Sequence, residues 1–159
     1  MMKPNTEAIV PANSDINRYA KDPNWLRTWL AMESMPWRSL AVIPMHEGSS
    51  LEAVHGLAAV AWEQHGSSVI VADIRSIALA ALSAVREETQ QRKAKGERVL
   101  FACRSLNENP VAATVAREAD GIVLCIVLGK SRLKSVTEAI KEIGQERIIG
   151  TISLRLSSA

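Results

Sequence analysis

From residue 39 onward, short runs of apolar residues alternate with longer stretches in which apolar residues recur at helical spacing. The short runs have the length of strands, and the longer stretches have the length of amphipathic helices. The pattern predicts strands at 40–43, 69–71, 99–101, 122–128 and 148–154. It predicts the intervening helices at 50–64, 77–91, 110–118 and 131–143. Regular alternation of this kind is typical of βαβ units, so we expect an α/β domain with five mainly parallel strands and helices on both faces of the sheet.

The N-terminal segment shows neither the short apolar runs of strands nor the apolar spacing of helices. Residues 1–20 contain prolines and asparagines without a repeating apolar pattern, which predicts a flexible tail. We expect a single α/β domain over residues 21–159. Asp22 followed by Pro23 is typical of a helix start, because proline is favoured at the first position of a helix.

Two tryptophans mark one face of the helix that follows this start. Trp25, Trp29 and Met32 share that face at helical spacing. In one interpretation the face packs against the domain. In the other it contacts a protein partner, because tryptophan is enriched among the residues that dominate binding at interfaces. Trp25 and Trp29 are therefore candidate interaction residues.

Composition and charge exclude several classes of function. The chain has 159 residues, 47% apolar and 23% charged, as expected of one globular domain. The net charge is 19 − 17 = +2 and no dense basic stripe occurs, so nucleic-acid binding is not predicted. The longest apolar run is far shorter than the roughly 20 residues of a spanning helix. The N-terminus also lacks the residue order of a signal peptide. We therefore expect a cytoplasmic protein without direct membrane insertion.

Cysteines and histidines give no pattern typical of a catalytic or metal site. Cys103 and Cys125 both lie in apolar segments read as strands, which predicts free buried thiols rather than a disulfide. His46, His55 and His65 do not have the spacing of metal ligands, so no metal site is predicted. No catalytic residue is assigned from the sequence.

The loop after the first predicted strand partly matches a phosphate-binding loop. In parallel sheets, ligands bind beyond the carboxyl ends of the strands. A phosphate loop of the form GxxxxGK[ST] cradles phosphate with backbone N–H groups, neutralises its charge with lysine and holds Mg²⁺ with the last hydroxyl. Gly48 and Ser50 occupy two of its positions, but the lysine position is Ser49.

A wider stretch carries a family resemblance. The segment MHEGSSLEAVHGLAAVAWEQHGSSVIVADIR resembles the start of the P-loop domain of bacterial tyrosine kinases, which accompany capsule and exopolysaccharide co-polymerases and belong to the ParA- and MinD-like ATPases. The family motif D-x-D-x-R is similar to the strand end Val71-Ala-Asp73-Ile-Arg75, with Val71 at the first aspartate. Downstream, ERVLFACRS is similar to the Walker B strand, with Ala102 at the magnesium-associated aspartate. The segment AREADGIVLCIVLGKSRLKSV is similar to the strand and helix that follow in that family.

The resemblance implies a P-loop fold whose chemistry is lost. Ser49, Val71 and Ala102 replace the lysine and two aspartates that the family uses in phosphoryl transfer, a reaction that depends on such charges. It therefore implies a catalytically inactive accessory or scaffold protein in bacterial exopolysaccharide biosynthesis and export. Its implied partners are a membrane polysaccharide co-polymerase or a related ATPase, which would recruit it to the inner membrane, and a second copy of the chain. Arg27 falls on the family's oligomerisation motif E-x-R-x-x-R and joins the candidate interaction residues.

An alternative function is a nucleotide-binding switch of the ParA or MinD type in protein or chromosome positioning. ATP or ADP with Mg²⁺ would then be held weakly, without turnover, in a degenerate site. The residues of that site are Gly48, Ser49, Ser50, Asp73 and Arg75. Saturable nucleotide binding distinguishes this switch from the scaffold, for which no cofactor is predicted.

Overall fold

The computed structural model describes residues 5–8, 22–45, 49–66, 69–105, 108–129 and 132–154. These residues form a six-stranded sheet with the order β1-β3-β4-β2-β5-β6. The strands are β1 (Asn5–Ala8), β2 (Ser39–Pro44), β3 (Ile70–Asp73), β4 (Val99–Ala102), β5 (Gly121–Val127) and β6 (Ile148–Leu154). Strands β2 to β6 are parallel, which confirms the predicted α/β class and the five parallel strands.

The described residues also form five helices. These are α1 (Pro23–Glu33), α2 (Ser49–His65), α3 (Leu82–Ala94), α4 (Pro110–Glu118) and α5 (Leu133–Ile143). The start of α1 follows the predicted signal: Asp22 Oδ1 accepts a hydrogen bond from the Asn24 N–H at 2.9 Å, and Pro23 opens the helix. Helix α3 begins later than predicted, at Leu82 after a short 3₁₀ turn at Leu79–Ala81.

Strand β1 is an element that the hydrophobic pattern does not predict. It lies within the segment interpreted as a flexible tail, and it pairs antiparallel with β3 from Asn5↔Asp73 to Ala8↔Ile70. The four residues NTEA have no apolar alternation, so the hydrophobic pattern gives no signal for this strand, which is recognised by its backbone pairing with β3. Its ladder supplies hydrogen-bonding partners along an edge that β3 would otherwise leave unpaired.

Helices cover both faces of the sheet. Side chains of successive strand residues point to opposite faces, so Leu40 and Val42 pack with α1 and α2 whereas Ala41 and Ile43 pack under α3, α4 and α5. Both cysteines are buried thiols that are not part of a disulfide, as predicted. Because both faces of the sheet are covered by helices, the loops at the carboxyl ends of the strands are the place where a parallel sheet can bind a ligand.

Helix α1 rests closely on α2. The ring of Trp25 lies over Gly56, and a Cβ atom added at Gly56 would stand 2.5 Å from that ring. A glycine inside a helix normally destabilises it, by about 1 kcal/mol relative to alanine. At this position the missing side chain lets the indole approach the helix backbone, which explains the glycine in an otherwise apolar helix.

Candidate functional site

The strand order places a topological switch point at the carboxyl ends of β2 and β4. These two strands are neighbours in the sheet. Helix α2 leaves β2 toward one face, and α4 follows β4 on the other face. Neighbouring strands whose connections leave to opposite faces define the point where α/β sheets bind ligands. The predicted site residues surround this point, at the ends of β2, β3 and β4.

Ser50 is enclosed rather than open to a ligand. It is fully buried in the first turn of α2, and its hydroxyl donates to the carbonyl oxygen of Cys103 at 2.5 Å. This bond joins α2 to the chain just after β4. The hydroxyl oxygen is therefore shielded from solvent, and an ion from solution would have to displace packed atoms to reach it. Gly48 lies outside the described residues, and the described backbone places Ser49 at the first position of α2.

Two positions where the resemblance expects carboxylates hold core side chains. Val71 is 4% exposed and Ala102 is 0% exposed. Both belong to the apolar cluster between the sheet and helices α1 and α2. Ala102 is also the register partner of Asp73 in the neighbouring strand. Asp73 is therefore the one carboxylate among the three acid positions that the resemblance implies, and the other two positions lie in the apolar core.

Asp73 and Arg75 neutralise each other at the end of β3. Arg75 Nε donates to Asp73 Oδ1 and Arg75 Nη2 donates to Asp73 Oδ2, both at 2.8 Å. The Arg75 backbone N–H also donates to Oδ1 at 3.2 Å. The side-chain hydrogen bonds from Arg75 hold the pKa of the Asp73 carboxyl below its usual value, and they raise the pKa of Arg75. The structure thus brings these two predicted site residues together as a closed ion pair of which about a third is exposed.

Asn109 organises this edge and was not found from the sequence. Its Oδ1 accepts from the backbone N–H groups of Val111 and Ala112, at 3.1 and 3.4 Å, and so caps α4. Its Nδ2 donates to the carbonyl oxygens of Arg75 and Ile77, at 3.2 and 3.1 Å. The amide therefore holds residues 75–77 out of a helical turn, which explains why α3 begins later than predicted. The Asn-Pro pair was a visible signal for the cap, whereas the contact across 34 positions was not.

Replacing Asn109 with alanine is expected to destabilise the protein by about 2 kcal/mol. Loss of a helix cap costs about 1 kcal/mol, and leaving partly buried carbonyl groups without donors adds a similar amount. Urea unfolding of Asn109→Ala and Asn109→Ser measures the two parts, because serine keeps the cap and removes the loop bonds. The unfolding free energy of Asn109→Ser should lie between those of the parent and of Asn109→Ala. An alanine variant as stable as the parent would contradict this role.

Cys103 directly follows β4, and its thiol is buried and unreactive. Burial, with a smaller contribution from the negative charge of Asp73, raises the pKa of its thiol to about 12. A thiol with this pKa stays protonated at neutral pH, and the thiolate is the nucleophilic form. Cys103 therefore lacks the lowered pKa that activates a cysteine as a nucleophile.

The two tryptophans predicted as candidate partner contacts lie in the core rather than on an exposed surface. Trp25 is 6% exposed and Trp29 is 0% exposed, because both pack into the core beneath α1. The alternative interpretation, a helix face packed on the domain, is the one observed. Arg27, on the outer side of α1, is exposed. Of the predicted interaction residues, Arg27 is the one that a partner can reach directly.

Two further findings bear on the class of site. In the part of the chain that the structure describes, no group of three or more histidine, cysteine or acidic side chains is placed to hold a metal ion. None of the described helices combines the length and apolar character needed to cross a bilayer.

Comparison of the chain with protein-family models, with curated proteins and with solved structures finds no match.

Proposed function

We propose that this protein is a catalytically inactive, P-loop-like accessory or scaffold in bacterial exopolysaccharide biosynthesis and export. It would act in the cytoplasm by binding a membrane polysaccharide co-polymerase or a related ATPase, which recruits it to the inner membrane. The observation that carries the proposal concerns the expected nucleotide site at the carboxyl ends of β2, β3 and β4, which we call the nucleotide-like edge. Its side chains are engaged by hydrogen bonds and an ion pair within the chain. The side chains of Ser50, Asp73 and Arg75 are each bonded to another group of the chain, and the two acid positions occupied by Val71 and Ala102 are apolar and buried.

The closure argues against phosphoryl transfer for an energetic reason. Such enzymes stabilise transferring phosphate with lysine, arginine and Mg²⁺, and loss of one stabilising group typically costs about 3 kcal/mol of transition-state stabilisation. Here Val71 and Ala102 offer no ligand, Ser50 is tied to a backbone carbonyl, and the charge of Arg75 is engaged by Asp73. A chain that keeps its sheet and helices without these charges retains surfaces for protein contacts.

The alternative, a weak nucleotide switch, has one observation in its favour. Asp73 and Arg75 are each about one-third exposed, so a nucleotide phosphate could compete for Arg75. Calorimetric titration with millimolar Mg-ATP and Mg-ADP distinguishes the two functions. The scaffold predicts no saturable heat with either nucleotide. Saturable binding that Asp73→Ala or Arg75→Gln changes would instead support the switch.

A genetic experiment tests the proposed role itself. In the source bacterium, deletion of the gene should reduce surface polysaccharide, and the parent sequence should restore it. The variants Asp73→Ala and Arg75→Gln should restore polysaccharide equally well, provided that each accumulates to the parent level. Unchanged polysaccharide in the deletion strain would overturn the pathway assignment, whereas failure of the two variants to complement would favour the nucleotide switch.

A further inference from the structure

A groove of about 270 Å³ runs along the outer strand β6, beside the first turns of α1. Its helix side consists of Asn24, Arg27 and Thr28, and its strand side includes Thr151 and Ser153. Two buried apolar side chains, Trp25 and Ile152, complete the lining. The groove therefore combines an apolar base with polar walls, a composition typical of sites that recognise a ligand of defined orientation.

The strand that borders this groove has an unused edge. Among the described residues, the seven-residue strand β6 pairs with β5 and with no other strand. In the part of the chain that the structure describes, no backbone hydrogen bond to another strand uses the outer N–H and C=O groups of β6. An exposed edge of this kind accepts an extended peptide as an additional strand, with backbone hydrogen bonds supplying affinity and adjoining pockets supplying specificity.

Charge indicates what the peptide should carry. Arg27 is exposed and is the charged side chain among the described residues that line the groove, whose other described polar members are an amide and hydroxyl groups. No described carboxylate lies within ion-pair distance of Arg27. The acidic residue next to the groove, Asp22, accepts a hydrogen bond from the Asn24 N–H. Arginine binds carboxylates through paired hydrogen bonds, so the groove favours an anionic group.

We propose that the groove between α1 and β6 binds an extended, acidic peptide segment of a partner protein. The peptide adds as a strand to the outer edge of β6, and one of its carboxylates pairs with Arg27. This inference goes beyond the proposed function because it places the contact at the sheet edge, two strands away from β2 and its nucleotide-like loop. It also does not depend on whether the loop binds nucleotide.

Selection from a displayed library of short random peptides tests the groove directly. The purified full chain should enrich peptides that contain aspartate or glutamate. A selected synthetic peptide should bind Arg27→Glu at least about tenfold more weakly, a loss of about 1.4 kcal/mol. Arg27→Lys should keep most of the affinity. Ser153→Trp should block the groove, whereas the matched control Ser135→Trp, on exposed α5, should bind like the parent.

Hydrogen exchange supplies a readout specific to strand addition. Bound peptide should slow exchange of the backbone amides of β6 and leave those of β3 unchanged. The proposal is overturned if no peptide is enriched over the Ser153→Trp protein, or if Arg27→Glu binds the selected peptide normally. It is also overturned if the free protein forms a dimer that Ser153→Trp abolishes, since a second copy would then fill the groove. Outer β6 amides that are already protected in the free monomer would mean that the chain covers its own edge.

Discussion

Ala102→Asp is expected to destabilise the protein by about 3–5 kcal/mol, the cost of an uncompensated buried charge, instead of restoring a magnesium site. Ala102 has no exposed surface and packs in the apolar cluster under α2. Its register partner is Asp73, so a new carboxylate would also meet a like charge across the neighbouring strand. Both effects raise the pKa of the introduced aspartate, because burial and a nearby negative charge disfavour its ionised form.

The pH dependence of this variant separates charge from size. An acid whose pKa is higher in the folded state than in the unfolded state loses stability as the pH rises above the unfolded value, near 4. The difference in unfolding free energy between the parent and Ala102→Asp should therefore become smaller as the pH falls toward 4. Ala102→Asn, which has a similar shape without charge, should show a smaller difference and little change over this range. Urea unfolding at several pH values measures both, and a stable Ala102→Asp that binds Mg²⁺ would contradict the account.

Trp29→Ala should destabilise the protein by a similar amount, about 3–5 kcal/mol, the range for truncating a buried tryptophan. Trp29 is fully buried, and its ring meets Trp37 edge to face at a centroid distance of 6.1 Å. The guanidinium of Arg98 lies 5.1 Å from the Trp29 ring centroid and 4.4 Å from that of Trp37. Removal of the indole therefore eliminates apolar packing together with an aromatic pair and a cation–π contact.

Exposed Arg27 provides the matched control on the same helix. Arg27→Ala should change the unfolding free energy by less than about 0.5 kcal/mol, as expected for a surface substitution. The unfolding free energy of Trp29→Phe should lie between those of the parent and of Trp29→Ala, because phenylalanine keeps an aromatic ring that can contact Trp37 and Arg98. Thermal and urea unfolding give all three values. If Trp29→Ala unfolds like the parent but loses a protein partner, then Trp29 belongs to an interaction surface after all.

The sequence predicts the fold well because its elements are local and strongly punctuated. The bounds of α4 and β6 agree with the prediction, since Pro110 marks the first turn of α4 and β6 carries apolar residues at Ile148, Ile152 and Leu154, whose even spacing along the sequence is typical of a strand. The central strand β5 is buried along nearly its whole length, which matches its uninterrupted apolar composition. In such segments, local pattern and tertiary burial favour the same structure.

What the sequence could not predict depends on contacts between distant residues. Strand β1 forms by pairing with β3, and Asn109 reaches carbonyl groups that belong to another loop. Helical spacing placed Trp25 and Trp29 on one face, but spacing does not show whether that face meets the core or a partner. The closed ion pair of Asp73 and Arg75 was likewise invisible, although both residues were predicted at the site.

A residue-resolved NMR titration with Mg-ATP tests the central claim, that the nucleotide-like edge is closed, most directly. The amide signals of Ser50, Asp73, Arg75 and Cys103 report on the two bonds that close it. The account predicts that these signals stay in place at millimolar nucleotide in the parent protein. Saturable shifts of these signals in the parent, altered in Asp73→Ala, would show an open nucleotide site and contradict it.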